Sequence, residues 1–350
     1  MRRPAGDSGS PDNAGNPGRA HLPAPVLIAD AMRRYLLAVA LGAALAVLAF
    51  SGLLVALEMK GMLPAPAITN SECADEKLAF LRAHPPDKPN LLIIGSSVAW
   101  RHFDSSVATR MAPGTSPLNG GFCGLRANQI AYTANWLIER MPSVKQVIMI
   151  TAPQDFETCE APSEVFSADS ADAFVFGHAS PWPFYFQYFD PVSLARNSTT
   201  VADRRINKLN PLSMVFTKYG DGPVHVDAPG LVYGRLGNLD PACFDALRAL
   251  ALALQDQNRP FMVVMSPINP AWQALYDPDH RSMQAFGAYL GRALDSTKAQ
   301  IWNASTDAGL KEAAFTDAIH IRWSAVGPLS EMIMQKLHRA NGGKVPPASD

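Results

Sequence analysis

The chain has no surplus of either charge. Its 30 Lys and Arg stand against 31 Asp and Glu, a formal net charge of −1 over 350 residues. That balance excludes nucleic-acid binding of the polybasic kind, which needs a cationic surplus to neutralise phosphates. Cysteine is scarce. Cys73, Cys123, Cys159 and Cys243 are the four, and none lies two to four residues from another cysteine or a histidine. Zinc-ligand spacing is therefore missing, and no metal site is expected. Cofactor loops are missing too. Gly120, Gly121 and Gly124 make a loose cluster without the spacing or the following acid of a dinucleotide fingerprint, and no phosphate loop occurs. No cofactor is expected. No internal repeat is evident.

Long uncharged runs are absent with one exception, Tyr35 to Leu57 (YLLAVALGAALAVLAFSGLLVAL). At 1.5 Å per residue this run is long enough to cross a ~30 Å hydrocarbon core. It exceeds the usual apolar stretch of a cleaved signal peptide and is longer than a buried core helix needs. Arg33 and Arg34 abut it on one side, while Glu58, Lys60, Glu72, Asp75 and Glu76 follow on the other. Positive charge stays inside. The expectation is a single-pass inner-membrane protein that contacts the bilayer through residues 35–57. Residues 1–34 would then be a disordered cytoplasmic tail, rich in Gly, Pro, Ala, Asp and Asn at its start. Residues from about 60 onward would face the periplasm or exterior. An oxidising compartment permits disulfides among the four cysteines.

Beyond a linker and lead-in at 58–88, strand and helix signals alternate over 89–340, ahead of a short disordered tail at 341–350. Leu91–Ile94, Pro117–Asn119, Lys145–Thr151, Pro260–Met265 and Gln300–Asn303 read as strands. Helical patterns run to about Met111, over Arg126–Met141, Cys243–Gln255, Ala271–Thr297 with a break near Asp277-Pro278, and Ser324–His338. Continuous apolar strands separated by helices predict an α/β fold, a three-layer sandwich with a central parallel sheet. Ligands bind such sheets at the carboxyl ends of the strands. Cys123 and Cys159 each fall just past a strand at that edge, and their pairing is the favoured one of three. Residues 156–240 break the rhythm as an insertion. They hold Trp182-Pro183-Phe184-Tyr185-Phe186-Gln187-Tyr188-Phe189, read either as the insertion's own small core or as a sugar-stacking or membrane-surface patch.

Two segments carry chemistry. Leu91 to Ile94 runs into Gly95-Ser96-Ser97, and Asp317-Ala318-Ile319-His320 lies near the end of the domain. A serine at a strand tip, served by a histidine held by a carboxylate, is how a hydroxyl becomes nucleophilic. Taken alone, a serine in such a turn is a helix N-cap more often than a nucleophile. Trp100-Arg101-His102, just beyond, is a candidate for lining the cleft.

These segments resemble the blocks of the SGNH (GDSL-like) hydrolases. Gly95-Ser96-Ser97 looks like the first block, usually Gly-Asp-Ser. Asn119-Gly120-Gly121-Phe122-Cys123-Gly124 looks like the second, and Asp317-Ala318-Ile319-His320 matches the last, Asp-x-x-His. The third block, usually Gly-x-Asn-Asp, aligns with Ala152-Pro153-Gln154-Asp155, where Gln154 replaces the Asn. The resemblance covers about residues 88–338. It implies an SGNH/flavodoxin-like fold with Ser97 as nucleophile, His320 as general base and Asp317 orienting it. Ser96, in the place of the usual Asp, is the competing nucleophile assignment. The oxyanion hole would be Ser97, Gly124 and Gln154, the last with uncertain reach. Ser96, Trp100, Asn119 and Asp155 would line the substrate. The implied activity is acyl transfer or ester hydrolysis, most simply of acetyl, on a carbohydrate or polysaccharide acceptor of the envelope. The implied partner is a membrane-bound O-acyltransferase. The alternative is an inactive glycan-binding scaffold with a vestigial triad.

Overall fold

The computed structural model describes residues 25–69, 71–159, 162–188, 191–210, 213–228 and 233–340. The tails expected to be disordered fall largely outside these residues, at 1–24 and 341–350. Contacts divide the chain into a unit ending at Lys60 and a unit beginning at Gly61.

The first unit is a single helix, Pro25–Met59. It starts ten residues ahead of the uncharged run, so that residues 25–34, expected in the tail, are helical. Its segment Ala29–Met59 is long and apolar enough to cross a membrane, and Leu36, Leu41 and Leu48 on it are exposed.

The second unit is built on five strands: β1 Leu91–Gly95, β2 Pro117–Asn119, β3 Gln146–Thr151, β4 Phe261–Met265 and β5 Gln300–Asn303. All pair in parallel in the order β2-β1-β3-β4-β5. This is the flavodoxin-like doubly wound order, and each strand lies within a residue of its sequence expectation. Side chains alternate across the pleat, so the strands feed two cores. Leu92, Ile94, Val147, Met149, Val263 and Met265 meet the helices Glu72–Ala83, Ala127–Arg140, Pro241–Asp256 and Arg281–Leu294. Leu91, Ile93, Ile148, Ile150, Met262 and Val264 meet the helix Trp323–Ala340 through Val326, Leu329 and Ile333. Each fully buried side chain of this size contributes about 1.5–3 kcal/mol. A charge at Ile148, fully buried in the central strand, would break the fold.

The helical pattern that ends at Met111 is two helices, Ser97–Arg101 and Ser105–Met111. Asp104 caps the second by accepting the Ser106 N–H at 2.9 Å. The break near Asp277 separates Pro270–Tyr276 from Arg281–Leu294. There the Asp277 carboxylate accepts the N–H groups of Ser282 and Met283.

The expected Cys123–Cys159 bridge is not formed. Cys73 pairs with Cys123 and Cys159 with Cys243, at Cα separations of 6.1 and 5.2 Å. The strand order gives the reason. Cys123 follows β2 and Cys159 follows β3, with β1 between them. Two strand spacings, about 9.5 Å, exceed the roughly 7 Å that a disulfide spans.

The insertion packs by its own aromatic side chains and also ties down the lead-in. Phe166, Phe174 and Ala171 are buried in the first core. From the aromatic run, Phe184 meets Phe174 at 5.8 Å. The hydroxyls of Tyr185 and Tyr188 donate to the carbonyls of Pro64 and Ala65. Phe189 lies outside the described residues.

Candidate active site

Gly95 ends β1 at φ +142°. A Cβ there would lie 2.2 Å from the Ile150 carbonyl oxygen and 2.5 Å from the Ala99 Cβ, so no other residue fits the step from strand to helix. Ser96 is the N-cap and Ser97 the first helical residue. As such, Ser97 has an N–H without a partner inside its own helix. Beyond β2 the chain keeps pairing with β1, since Gly120 N–H donates to Ile93 O and Phe122 N–H to Gly95 O. This extension delivers Gly124, at φ +74°, beside Ser97.

The second segment folds back on itself. Phe315 and Ile321 form an antiparallel bridge, and Thr316 N–H donates to His320 O at 2.9 Å. Asp317 Oδ1 accepts the N–H groups of Ile319 and His320 at 2.8 and 2.7 Å. Its Oδ2 lies 2.7 Å from His320 Nδ1, and His320 Nε2 lies 2.9 Å from Ser97 Oγ. Three side chains expected to meet across 220 residues of sequence thus form one hydrogen-bonded line. With Asp317 on Nδ1, the proton belongs on that nitrogen, and Nε2 is left as the acceptor facing Ser97.

The electrostatics suit a base. Burial pushes the Asp317 carboxyl up, but the hydrogen bond and charge of His320 and the two backbone N–H groups outweigh it, leaving it below its ordinary value. For His320, burial lowers the pKa and Asp317 opposes by hydrogen bond and charge. Arg101 lowers it further, and the net direction is down. The ring is therefore neutral at neutral pH.

Ser97 opens on a cavity of about 380 Å³ lined also by Ser96, Gly124, Gln154, Asp155 and His320. Gln154 sits on the 3-10 turn Pro153–Phe156 after β3. Both polar atoms of its amide are shielded from solvent and have no protein partner. Ser96 turns away from His320 toward Asp155, whose buried carboxyl it donates to. Burial raises that carboxyl to about 6, opposed by Ser96, the Ala152 N–H and Thr151. Ser97 is thus the serine that His320 reaches.

Three expected lining residues, Trp100, Asn119 and His102, are not in the wall. Trp100 is buried beneath it, against Phe216, because the helix turns its indole toward the insertion. Asn119 is fully buried and acts as a tie. Its Nδ2 donates to the Ala99 carbonyl and to Asp221 Oδ1, while its Oδ1 accepts the Gly121 N–H. It thereby joins the serine helix, the glycine loop and the insertion.

Arg101, Met214 and Tyr233 line the cavity, the last two from the insertion, where no motif marked them. Arg101 stacks on the Trp100 ring, and burial lowers its pKa to about 10. His102 lies behind the site, fully buried, its ring 6.0 Å from that of His320. Its Nε2 accepts the Ile321 N–H at 2.9 Å, so its Nδ1 carries the proton and donates to Ser266 Oγ at 2.8 Å. That geometry requires the neutral ring, and burial, with the neighbouring His320, holds its pKa well below the usual range. His102 clamps the backbone just past His320 to the end of β4. His102, expected with Trp100 and Arg101 to line the cleft, is therefore a tie behind it and not part of its wall. Among the described residues no group of acids, histidines or cysteines is arranged to hold a metal.

No family model matches the chain, and no curated protein does. Solved structures give faint likenesses. Est24, a carbohydrate acetylesterase from Sinorhizobium meliloti, shares 12% identity over 72% of this chain and 99% of its own, at a TM-score of 0.34. The inhibitor-bound aryl esterase of M. smegmatis shares 10% over 72% and 99%, at 0.35. A carbohydrate acetylesterase family member from S. meliloti shares 8% over 73% and 99%, at 0.34. Such TM-scores are too low to lend this chain their chemistry.

Proposed function

We propose that this chain is a membrane-tethered, extracytoplasmic acyl-transfer enzyme that moves or removes an acetyl group on an envelope or exported polysaccharide. The observation that carries the reading is the 2.9 Å approach of His320 Nε2 to Ser97 Oγ, with Asp317 behind the ring. His320 takes the Ser97 proton as Oγ attacks the ester carbonyl. The carbonyl electrons move to its oxygen, which faces the Ser97 and Gly124 N–H groups and the Gln154 amide. Collapse expels the alkoxide, which takes the proton from His320, and leaves acetyl-Ser97. A sugar hydroxyl or water then gives its proton to His320, attacks the acyl-enzyme and restores Ser97. A sugar acceptor makes the reaction a transfer, and water makes it a hydrolysis.

Transfer is the favoured outcome. Gln154 in place of the usual Asn suits a site of modest hydrolytic power, and the apolar N-terminal helix suits a polysaccharide-modifying assembly with a membrane-bound O-acyltransferase. In this topology the arginine flank stays cytoplasmic and residues from Gly61 lie in the periplasm or outside, where the two disulfides are stable. An inert scaffold has no need of a serine within hydrogen-bond reach of its histidine, and the 2.9 Å contact weighs against that alternative.

The test is full-length protein in detergent, offered 4-nitrophenyl acetate and analysed by intact mass. The expected result is a burst with a single acetyl adduct, absent from Ser97→Ala. No burst and no adduct would overturn the reading.

A further inference from the structure

A second cavity, of about 890 Å³, is walled in part by the Asp317 turn, through Phe315, Thr316, Asp317 and Ala318. It is more than twice the volume of the cavity at Ser97, and Asp317 lines both. Its wall is built around the short helix Pro270–Tyr276. Asn269 caps that helix by accepting the Ala271 N–H. Asn269 also fastens the helix to the turn, with its N–H on the Ala318 carbonyl and its Nδ2 on the Asp317 carbonyl. Trp272 and Tyr276, one helical turn apart, form an aromatic pair at 5.5 Å. The Trp272 indole N–H donates to the backbone carbonyl of Tyr233, whose side chain lines the cavity at Ser97. Anything that shifts this helix therefore bears on both cavities.

The lining chemistry narrows the occupant. The charges carry no cationic surplus: Arg322 is bonded to Asp227 at 2.5 Å, and Lys311 shares the wall with Glu312 and Asp317. Asp317 is already engaged by His320. A phosphate or carboxylate would meet no net cationic field. Tyr276 offers a half-buried ring and Leu275 an exposed apolar side chain. Asn269, Arg322 and Asp227 offer donors and acceptors around them. An apolar platform rimmed by neutral or mutually paired polar groups matches a pyranose, which has a C–H face and a hydroxyl edge.

We propose that this second cavity is a subsite for neutral sugar units of the acceptor chain, next to the unit whose hydroxyl or ester reaches Ser97. The inference rests on the acyl-transfer reading for its purpose but not for its geometry. It implies that the substrate is an oligomer or polymer and that chain length is read at Tyr276.

The test is calorimetric titration of the full-length Ser97→Ala protein in detergent with the tetraoses of xylose, glucose (β- and α-linked) and mannose, against their monosaccharides. At least one tetraose should bind, at least tenfold more tightly than its monosaccharide. Tyr276→Ala should erase that gain, and Tyr276→Phe, which keeps the ring, should restore it. Leu275→Glu, at an exposed position, should weaken the same tetraose and serves where Tyr276→Ala lowers the melting temperature. No binding by any tetraose, or binding indifferent to both positions, overturns the subsite. The adduct experiment on Ser97 is independent. An adduct without tetraose binding leaves the enzyme and removes the subsite, whereas tetraose binding without an adduct does the reverse.

Discussion

Between them Asp317 and His320 have a hydrogen-bond partner for every side-chain polar atom, whereas both polar atoms of the Gln154 amide, across the same cavity, have none. The two halves of the site are built on different terms. The proton-transfer half is satisfied within the fold and sits on a closed turn and a helix start. The opposite half, Gly124 and Gln154, rides on loops fastened by disulfides, with Cys123 next to Gly124 and Cys159 five residues past Gln154. A satisfied network stabilises the protein. An unsatisfied buried amide costs about 1–3 kcal/mol; in the acyl-transfer reading proposed above, its Nε2 donor gains a partner when the oxyanion forms, while Oε1 stays unpaired.

The largest effect belongs to the satisfied half. Ser97→Ala and His320→Ala should each lower kcat for 4-nitrophenyl acetate by about 10⁴–10⁶, and the double variant should be no worse than either, because the groups act as a unit. Additive losses in steady-state kinetics would show that the line of hydrogen bonds is not a catalytic unit. Gln154→Leu probes the other half and should move two measurements in opposite directions. Loss of an oxyanion donor costs about 10²–10³ in kcat. Removal of the unpartnered amide should raise the melting temperature, by about 2–4 °C per kcal/mol in a domain of this size. A fall in both would mean that the amide is structural.

The disulfides give a smaller, graded effect. Replacing Cys73 and Cys123 together with Ser should cost about 2–4 kcal/mol of stability, read by calorimetry. It should also lower kcat about tenfold, because the Gly124 loop loses its fastening. The Cys159 and Cys243 pair should cost similar stability. Equal activity in all forms would show that the loops hold their shape by packing alone.

The sheet and the meeting of Ser97, His320 and Asp317 were legible in sequence for the same physical reason. A parallel strand buried on both faces reads as an unbroken apolar run, as in Leu91–Ile94 and Gln146–Thr151. A Gly-Ser turn after one run and an Asp-x-x-His turn near the end are local patterns whose meeting follows from the strand order. What stayed hidden depends on distance across the fold. The disulfide pairing was misjudged because a shared sheet edge does not say which strand lies between. Trp100 and Asn119 were misplaced because sequence position near a cleft does not give the direction of a side chain. Tyr233 and Met214 arrive from an insertion without periodicity, and the second cavity is assembled from Asp227, Asn269 and Arg322, which no local motif unites.

The smallest effect concerns pH, and it separates the two halves again. His320 must be neutral to accept the Ser97 proton, so kcat/KM falls as pH drops through its pKa, and that limb reports the free enzyme. Burial lowers this pKa, Asp317 raises it and Arg101 lowers it, with the net shift downward from 6.5. The acid limb should therefore have its midpoint below pH 6.5. Arg101→Met removes a charge that opposes protonation of the ring, so the midpoint should rise. Asp155, in the opposite wall, is the rival: its carboxyl sits at about 6, and a limb that came from it would respond to Asp155→Asn. A limb that moves with Arg101 and survives Asp155→Asn belongs to His320. A limb that disappears with Asp155→Asn would place the titration that governs turnover on the oxyanion side of the cavity.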